Sequence, residues 1–206
     1  MASTPGRLIA LEGIDGCGKS TQARLLADRL GALLTFEPGA TDLGVSLRAL
    51  LLDPHRPAVA ERTEALLMAA DRAEHVAEVV RPALERGEWV VTDRYSASTL
   101  AYQGYGRGLD LGKLTLLIEW ATGGLAADLT VLVAVDPALG LARRSGSVED
   151  RMEAAGDGFR RRVADGYRRL ANHGDPPWLV VDGSRTIDDV ADLVWSGVHG
   201  RLGTPS

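Results

Sequence analysis

The residues with the clearest chemistry form a glycine-rich loop near the start of the chain. Gly13-Ile14-Asp15-Gly16-Cys17-Gly18-Lys19-Ser20 matches the pattern GxxxxGK[ST] at every fixed position. Glycines let the backbone wrap closely around a phosphate, with successive N–H groups aimed at its oxygens. Lys19 supplies a mobile cation for the β- and γ-phosphates, and the Ser20 hydroxyl suits Mg²⁺. The loop, through Thr21, therefore predicts a nucleoside triphosphate site; a glycine turn that merely links two elements is the alternative.

The segments on either side of the loop support the functional interpretation. The mostly apolar run 8–12 predicts a short buried strand that leads directly into the loop. A helical pattern follows, with an apolar face that Gly31 is placed to end. That face consists of Ala23, Leu26, Ala27 and Leu30. Strand, glycine-rich turn and helix in this order form the structural context that such a loop requires.

A second candidate site follows the apolar run 88–92, which ends in Asp93-Arg94. An aspartate at the end of a buried strand is well placed to hold Mg²⁺ or its water shell. The alternative for Asp93 is a cap for a helix that starts near Ser96. Lysines occur only at positions 19 and 113, so a phosphate clamp must use arginine, which binds phosphate bidentately. Arg48, Arg72 and Arg94 are the candidates.

The remaining pattern alternates strands with helices. Strands are predicted at 33–36, 129–135 and 178–181 in addition to the two above, and helices at 43–53, 62–86, 96–103, 111–121, 159–172 and 187–198, with another opening at 136–137. The apolar stripe of the long helix comprises Leu66, Ala69, Ala70, Ala73, Val76, Ala77 and Val80, and Pro82 should kink it or start a shorter segment. Five buried strands between helices predict a three-layer α/β fold of the P-loop NTPase kind, with a parallel sheet covered on both faces. Ligands then bind at the carboxyl ends of the strands.

Composition limits the classes of partner. The 206 residues predict a single domain, 1–206, with a mobile lid at about 143–158. The net charge of -5 gives no global attraction to nucleic acid or membranes. The stretch 143–169 is nonetheless rich in arginine, which suits a small anionic ligand or, alternatively, a solvated helix face. No apolar run is long enough to span a membrane, and a cytoplasmic protein is predicted.

Cys17 is the only cysteine, so the chain cannot form an intrachain disulfide. It lies inside the phosphate loop. We interpret it as a small residue that fills a loop position rather than as a redox sensor, which would need a depressed pKa.

Several motifs together resemble one family. GIDGCGKST, EPGAT, LRALLLD, AADRAEH, DRYSASTLAYQGYGRG and DRME occur in this order over nearly the whole chain and resemble the thymidylate kinases. These P-loop enzymes move the γ-phosphoryl group of ATP onto dTMP to give dTDP, with Mg²⁺. The DRYxxSTLAYQGxGRG pattern is far more specific than the phosphate loop, which many unrelated NTPases share.

The resemblance implies roles for individual residues. Asp15 would hold the sugar 3′-hydroxyl of dTMP beside the reacting phosphates, and Arg94 with Arg48 would clamp the acceptor phosphate. Tyr102 would close the space of a ribose 2′-hydroxyl, and Asp93 would join the Mg²⁺ and phosphate network. The residues expected to face the thymine edge are Arg72 and Thr99, with Gln103 nearby.

The resemblance also implies a lid over ATP. Arg143, Arg144 and Arg151 would belong to it, and since positions 14–17 contain no basic residue, the chain is similar to the bacterial members that carry the catalytic arginine in the lid. The sequence departs from the family in two places. Met68 stands where members usually have a phenylalanine that stacks on thymine, and it fits either core packing or a thioether contact with a ring. Phe36 stands where many bacterial relatives have an arginine.

Three functions remain in view at this stage: a thymidylate kinase, another small-acceptor P-loop kinase, and a nucleotide switch. A switch usually needs a guanine-reading NKxD motif, and this motif does not occur. The resemblance further implies a homodimer. The apolar residues between Leu114 and Trp120 could supply its interface or could equally belong to the core.

Overall fold

A parallel sheet of five strands forms the centre of the fold. The computed structural model describes residues 6–57, 59–144, 152, 156–173 and 177–205. In this part of the chain the strand order is β2-β3-β1-β4-β5, with every neighbouring pair parallel. The strands are β1 (Leu8–Glu12), β2 (Leu33–Phe36), β3 (Val90–Asp93), β4 (Leu129–Ala134) and β5 (Trp178–Asp182). The predicted parallel α/β fold is confirmed.

Side chains of the central strand alternate between two apolar cores. In β1, Leu8 and Ala10 pack into the core on one face of the sheet, whereas Ile9 and Leu11 pack into the core on the other face. This is the two-residue period of a strand whose faces are both covered. All five residues of β1 are buried, so the strand holds the start of the glycine-rich loop at a fixed position.

The prediction of five buried strands is wrong for the two outer ones. β2 and β5 each pair with a single neighbour, and parts of both remain accessible. Leu34 and Phe36 in β2 and Val180 in β5 are among the exposed large apolar side chains. The apolar pattern of a parallel strand does not reveal whether the strand lies at the centre or at the edge of the sheet.

Helices cover both faces of the sheet. Those in the described residues are α1 (Lys19–Leu30), α2 (Asp42–Leu52), α3 (Glu61–His75), α4 (Arg81–Glu85), α5 (Ser96–Thr99), α6 (Leu111–Thr122), α7 (Pro137–Arg143), α8 (Asp157–His173) and α9 (Ile187–Leu202). Gly31 ends α1 in the left-handed conformation, as its position predicts. The N-caps of α2 and α7 are Thr41 and Asp136, whose side chains accept backbone N–H bonds.

The long helix predicted at 62–86 is divided by a π-helical segment, Val76–Val80, which lies just before Pro82. The predicted apolar stripe is only partly correct, because Leu66, Ala70 and Ala77 are exposed. Besides Ala65 and Ala69, the buried face of α3 carries polar and charged side chains. They are Glu64, Asp71, Arg72 and His75.

A second π-helical segment, Leu100–Gly106, follows α5 directly. It extends the predicted helix 96–103 into the glycine-rich turn, and it carries the AYQG part of the motif. The predicted lid at about 143–158 lies largely outside the described residues, which stop at 144 and resume, apart from Met152, at 156. No helix among the described residues has both the length and the apolar character needed to cross a bilayer.

Candidate active site

The phosphate loop occupies the space between the end of β1 and the start of α1. Gly13, Gly16 and Gly18 all have positive φ values, of 146°, 77° and 95°, which favour glycine. The Cys17 N–H donates to the Ile14 carbonyl at 3.2 Å and closes the turn. α1 begins at Lys19, so its unpaired N–H groups open toward the loop. The predicted strand–loop–helix unit is therefore present, with the geometry of an anion-binding cradle.

α7 packs directly against this loop through a glycine. A Cβ on Gly140 would lie 2.8 Å from the Asp15 carbonyl oxygen and 3.2 Å from Ile14 Cδ1. A Cβ on Gly16 would in turn collide with the Gly140 carbonyl. Two glycines thus permit an approach that side chains would prevent, and α7 limits where the loop can move.

Asp15 is the centre of the charge network above the loop. Its carboxylate lies 2.5 Å from Arg94 Nη2 and 3.3 Å from Lys19 Nζ, and it accepts a hydrogen bond of 2.9 Å from the Tyr102 hydroxyl. Burial opposes the charged form, but Arg94 and Lys19 outweigh it and hold the pKa of Asp15 well below its ordinary value. Asp15 is therefore ionised at neutral pH and ties a loop residue to the end of β3.

Arg94 reaches Asp15 from an unusual backbone conformation. It is the one non-glycine residue with positive φ in the described part of the chain, at 76°. This conformation costs free energy for a residue with a Cβ and is found where surrounding contacts enforce it. Its Nη1 donates to the Gly13 carbonyl at 3.2 Å, to Ser98 Oγ at 3.1 Å and to the Tyr167 hydroxyl at 3.2 Å. These contacts hold the guanidinium over the loop.

Glu12, which the sequence pattern did not identify, binds the residues that hold Arg94 in place. It is fully buried at the end of β1 and accepts hydrogen bonds from the backbone N–H groups of Tyr95 and Ser98, from Ser98 Oγ and from the Tyr167 hydroxyl. Burial raises its pKa, which its hydrogen bonds and Arg94 partly offset. The carboxylate thus joins β1, α5 and α8 below Arg94.

The hydrogen bonds of Glu12 also test whether Asp93 caps α5. Glu12, rather than Asp93, accepts the N–H groups at the start of α5. The Oδ1 atom of Asp93 is buried and has no hydrogen-bond partner among the described residues. The helix-cap interpretation of Asp93 is therefore wrong, and one carboxylate oxygen at the end of β3 is left for another ligand.

A buried ion network lies beside this centre. Arg72, only 2% exposed, donates from Nε to Glu37 at 2.8 Å, from Nη1 to Thr99 Oγ1 at 2.8 Å and from Nη2 to the Tyr95 carbonyl at 2.9 Å. His75 Nδ1 lies 2.8 Å from the other oxygen of Glu37. Three donors of Arg72 are therefore engaged within the protein, and the guanidinium has a fixed orientation.

One pocket collects the residues predicted for acceptor binding. All eight of them line it: Asp15, Arg48, Met68, Arg72, Arg94, Thr99, Tyr102 and Gln103. They come from the phosphate loop, α2, α3, the end of β3, α5 and the second π-helical segment. Met68 also packs against the apolar core. Its position is thus compatible both with core packing and with a thioether contact to a ring in the pocket.

A separate groove runs along the other side of the loop. It is lined by loop residues 16–21 together with Gln22, Arg143, Arg185 and the start of α9. Arg143 donates from Nη1 to the Gly183 carbonyl at 2.8 Å, so it is anchored at the end of α7 beside the loop. Arg144 instead lines a small cavity with Ile14, Asp15 and Tyr102. Arg151, the third arginine predicted for the lid, lies outside the described residues.

Comparisons with known proteins agree with this geometry. The family model described as thymidylate kinase matches residues 11–194. The chain is 49% identical over 200 residues to a thymidylate kinase of Synechococcus sp. strain CC9902, covering 92% of this chain and 95% of the relative. It is 47% identical over 191 residues to that of Carboxydothermus hydrogenoformans, covering 90% and 93%. The chain belongs to the thymidylate kinase family.

A solved thymidylate kinase structure extends the agreement to the fold. The enzyme from Ehrlichia chaffeensis superposes with a TM-score of 0.77 at 31% identity, over 94% of this chain and 99% of that one. The resemblance found in the motifs and the predicted P-loop NTPase fold are thereby confirmed. The individual residue roles remain predictions that the resemblance to the family implies.

Two of the motifs that resemble thymidylate kinases contain buried carboxylates whose contacts the sequence does not reveal. Glu37 in EPGAT binds Arg72 and His75, and Asp71 in AADRAEH accepts the Gly39 N–H at 2.9 Å. Burial and the nearby Glu37 raise the pKa of Asp71 to about 6. Both residues line the pocket that contains the residues predicted for acceptor binding. Their presence in the quoted motifs was the available signal, but only the packing shows what they contact.

The structure agrees with the modest role assigned to Cys17. Its side chain is 2% exposed, and burial raises the pKa of its thiol. Thiolate reactivity requires the opposite shift and solvent access. Cys17 therefore fills space under the loop, where a Cβ on Gly13 would lie 2.7 Å from its Sγ.

Proposed function

We propose that the chain transfers the γ-phosphoryl group of ATP to dTMP, giving dTDP and ADP. The observation that carries this proposal is Asp15, which belongs to the phosphate loop and also lines the acceptor pocket with Arg94 and Arg48. A nucleotide in the groove along the loop and a monophosphate in the pocket would meet at this residue. Membership of the thymidylate kinase family supports the choice of both nucleotides.

The reaction is an in-line displacement that needs little covalent help from the protein. An oxygen of the acceptor phosphate forms a bond to the γ-phosphorus, and the bond to the bridging oxygen of ADP breaks. The acceptor phosphate is already a competent nucleophile, so positioning and charge stabilisation supply the catalysis. The loop amides and Lys19 hold the ATP phosphates, Arg94 and Arg48 hold the acceptor phosphate, and Arg144 or Arg151 neutralises charge on the moving group.

Arg72, Thr99, Gln103 and Met68 hold the base, while Asp15 and Tyr102 hold the sugar. The Asp15 carboxylate accepts from a 3′-hydroxyl, and the Tyr102 ring takes the volume beside the 2′-carbon. Arg143, anchored beside the loop, contacts the donor nucleotide. Each role is the one that the family resemblance implies; the base and sugar residues line one pocket, and Arg143 lines the groove along the loop.

Two side chains fit a magnesium ion. The buried Oδ1 of Asp93 has no partner among the described residues, and Ser20 is exposed in the first turn of α1 beside the loop. Carboxylate and hydroxyl oxygens are ligands that Mg²⁺ accepts together with nucleotide phosphates. When bound, the ion would neutralise charge on the β- and γ-phosphates. We therefore assign Ser20 and Asp93 to Mg²⁺.

We also propose that the chain forms a homodimer through α6. Leu114 and Ile118 of α6 are buried within the chain, but Leu116 is 67% and Trp120 83% exposed. The stretch 114–120 therefore contributes one face to the core and another to solvent. An exposed tryptophan is a frequent anchor of protein interfaces.

A panel of nucleoside monophosphates tests the activity. ADP release with saturating ATP should be fastest with dTMP, lower with dUMP and far lower with dCMP, dAMP and dGMP. Loss of one methyl group costs only ~1–3 kcal/mol in a pocket, so dUMP is disfavoured without being excluded. Equal rates with dCMP and dTMP would contradict the choice of thymidylate while leaving a monophosphate kinase.

Acceptor-free hydrolysis provides the second test. A kinase that closes over its nucleotides excludes water, so ATP alone should be hydrolysed slowly. We expect ADP release without a monophosphate to be a small fraction of the rate with dTMP. Fast release without any acceptor would instead identify an ATPase.

A further inference from the structure

Glu64 is a buried carboxylate that none of the roles above uses. It lies in the first turn of α3 and is 2% exposed. Its Oε1 accepts a hydrogen bond of 3.0 Å from Gln103 Nε2 and one of 3.2 Å from Arg107 Nε, while its Oε2 accepts one of 3.1 Å from Arg107 Nη2. In each of these hydrogen bonds, the Glu64 carboxylate is the acceptor.

Arg107 fixes this carboxylate from two sides. Its two nitrogens bind Glu64 in the bidentate manner, which restricts the orientation of both groups. Its guanidinium carbon also lies 4.5 Å from the centre of the Phe159 ring, so α8 supports the pair by a cation–π contact. Glu64 is thus a rigid, purely accepting partner for Gln103.

The orientation of the Gln103 amide follows from this chemistry. A carboxylate paired with a guanidinium can only accept hydrogen bonds, so Gln103 must turn its NH₂ group toward Glu64. The orientation of the Gln103 amide therefore follows from its hydrogen-bond partner, and it does not depend on telling the amide nitrogen from the amide oxygen by position. The carbonyl Oε1 then lies on the other branch of the planar amide, and it accepts no hydrogen bond from the described residues.

Gln103 lines the pocket that the proposed function gives to the acceptor nucleotide. Thymine and uracil carry an N3–H donor between two carbonyl groups, whereas cytosine carries a lone pair at N3 beside an amino group. A fixed carbonyl oxygen opposite position 3 attracts the first arrangement and repels the second. A fixed NH₂ group would have the opposite preference.

We propose that Glu64 is a positioning residue for base selection: it holds the Gln103 amide with its oxygen toward the base and so favours dTMP and dUMP over dCMP. The inference rests on the proposed function and goes beyond it, because Glu64 itself touches neither nucleotide. In this proposal, the hydrogen bond between Glu64 and Gln103 determines the choice between pyrimidines, although only Gln103 contacts the base.

The test is the isosteric change Glu64→Gln, assayed with dTMP and dCMP. A glutamine at 64 can donate as well as accept, so the Gln103 amide becomes free to turn over. We expect the ratio of kcat/KM for dTMP to that for dCMP to fall about tenfold, the value of one misplaced hydrogen bond. The change should appear chiefly in the KM of each monophosphate. Loss of rigidity alone would lower kcat/KM equally for dTMP and dCMP and would leave the ratio of the two values unchanged.

Three further single variants and one double variant complete the test. Glu64→Asp retains an acceptor-only group and should keep a ratio near that of the unmodified protein. Glu88→Gln alters an exposed carboxylate that pairs with Arg86 at 2.8 Å, and it should change nothing. Gln103→Leu should itself lower the ratio, and adding Glu64→Gln to it should have no further effect, since the two act through one contact.

An unchanged ratio in a folded Glu64→Gln protein would overturn the inference, as would an equal effect of that change in the Gln103→Leu background. If Glu64→Gln does not fold, an unchanged ratio in Gln103→Leu overturns it. Failure of the unmodified protein to phosphorylate dTMP would refute the proposed function instead, so the two failures are distinguishable.

Discussion

Lys19 is the only basic side chain in the phosphate loop, and its ammonium lies 3.3 Å from the Asp15 carboxylate. Asp15 also has Arg94 at 2.5 Å, so the half-buried carboxylate keeps a cationic partner when Lys19 is removed. The contribution of Lys19 to folding is therefore replaceable. Its contribution to the charged transition state is not, because no other loop side chain can supply a cation.

We expect Lys19→Ala to fold and to lose ~10²–10³ in kcat, the usual cost of removing one preorganised donor. The measurement is ADP release with dTMP, alongside a circular dichroism melt. Lys113→Ala is the matched control, because Lys113 is the only other lysine of the chain and lies at an exposed position of α6. Near-normal turnover by Lys19→Ala would refute the assignment of the loop.

Asp71 makes stability depend on pH. Its pKa rises from an ordinary 3.8 to about 6 in the folded chain, chiefly through burial and then through Glu37. The folded state thus binds this proton more tightly than the unfolded state does. The free energy of unfolding should decrease through this group as pH rises from about 4 to about 6, and the loss is complete above that window.

Asp71→Asn should remove this dependence, because an amide oxygen can still accept the Gly39 N–H. Relative to the unmodified chain, the variant should gain stability between pH 4.5 and pH 7. Urea unfolding at both values measures the difference. Parallel stability curves for the two proteins across this range would show that Asp71 does not titrate there.

At the scale of elements, α7 acts as a wall for the phosphate loop. The contact depends on Gly140, where a Cβ would lie 2.8 Å from the Asp15 carbonyl. Since this atom belongs to the loop backbone, it cannot move aside without moving the cradle. The position of α7 and the affinity for ATP should therefore be linked.

Gly140→Ala should raise the KM for ATP about tenfold, because small misplacements of a positioned group are costly. Gly200→Ala is a matched control, since this glycine also lies in a helix, α9, and a Cβ there would meet nothing within 4 Å. The control should instead stabilise the fold by ~0.5–1 kcal/mol. An unchanged KM in Gly140→Ala would mean that the loop accommodates the methyl group.

Element prediction succeeded where the signal was local. The spacing of Ala23, Leu26, Ala27 and Leu30 identified α1, and all four side chains are buried. The helix α3 was also predicted, but its buried face was not, because Leu66 is exposed whereas Glu64 and His75 are buried. Charged residues enter a core only with partners, and these partners come from distant parts of the chain. Helical periodicity carries no information about them.

At the scale of the whole molecule, the same limit applies to the site. Lys19, Ser20, Asp93 and Arg94 could be proposed as candidate site residues because each lies in a short motif next to an apolar strand. Glu12 could not, since it reads as the last residue of a strand and its partner Tyr167 is 155 positions away. Strand order was equally hidden, so the edge positions of β2 and β5 appeared only in the fold.

The proposed homodimer gives a prediction for the intact protein. Trp120→Glu places a charge on the exposed face of α6 and should convert a dimer to a monomer in light scattering. Leu193→Glu, at an exposed apolar position of α9, should leave the mass unchanged. A monomeric unmodified protein, or a dimeric Trp120→Glu variant, would contradict the proposed interface.

The hydroxyl of Tyr167 joins α8 to Glu12, Ser98 and Arg94 at once. A protein engineer who exchanged α8 between relatives as a cassette would therefore also alter the acceptor side of the enzyme. A graft that brought phenylalanine to this position would leave Glu12 one donor short. Chimeras of this fold should be cut so that residues 12, 94, 98 and 167 come from the same parent.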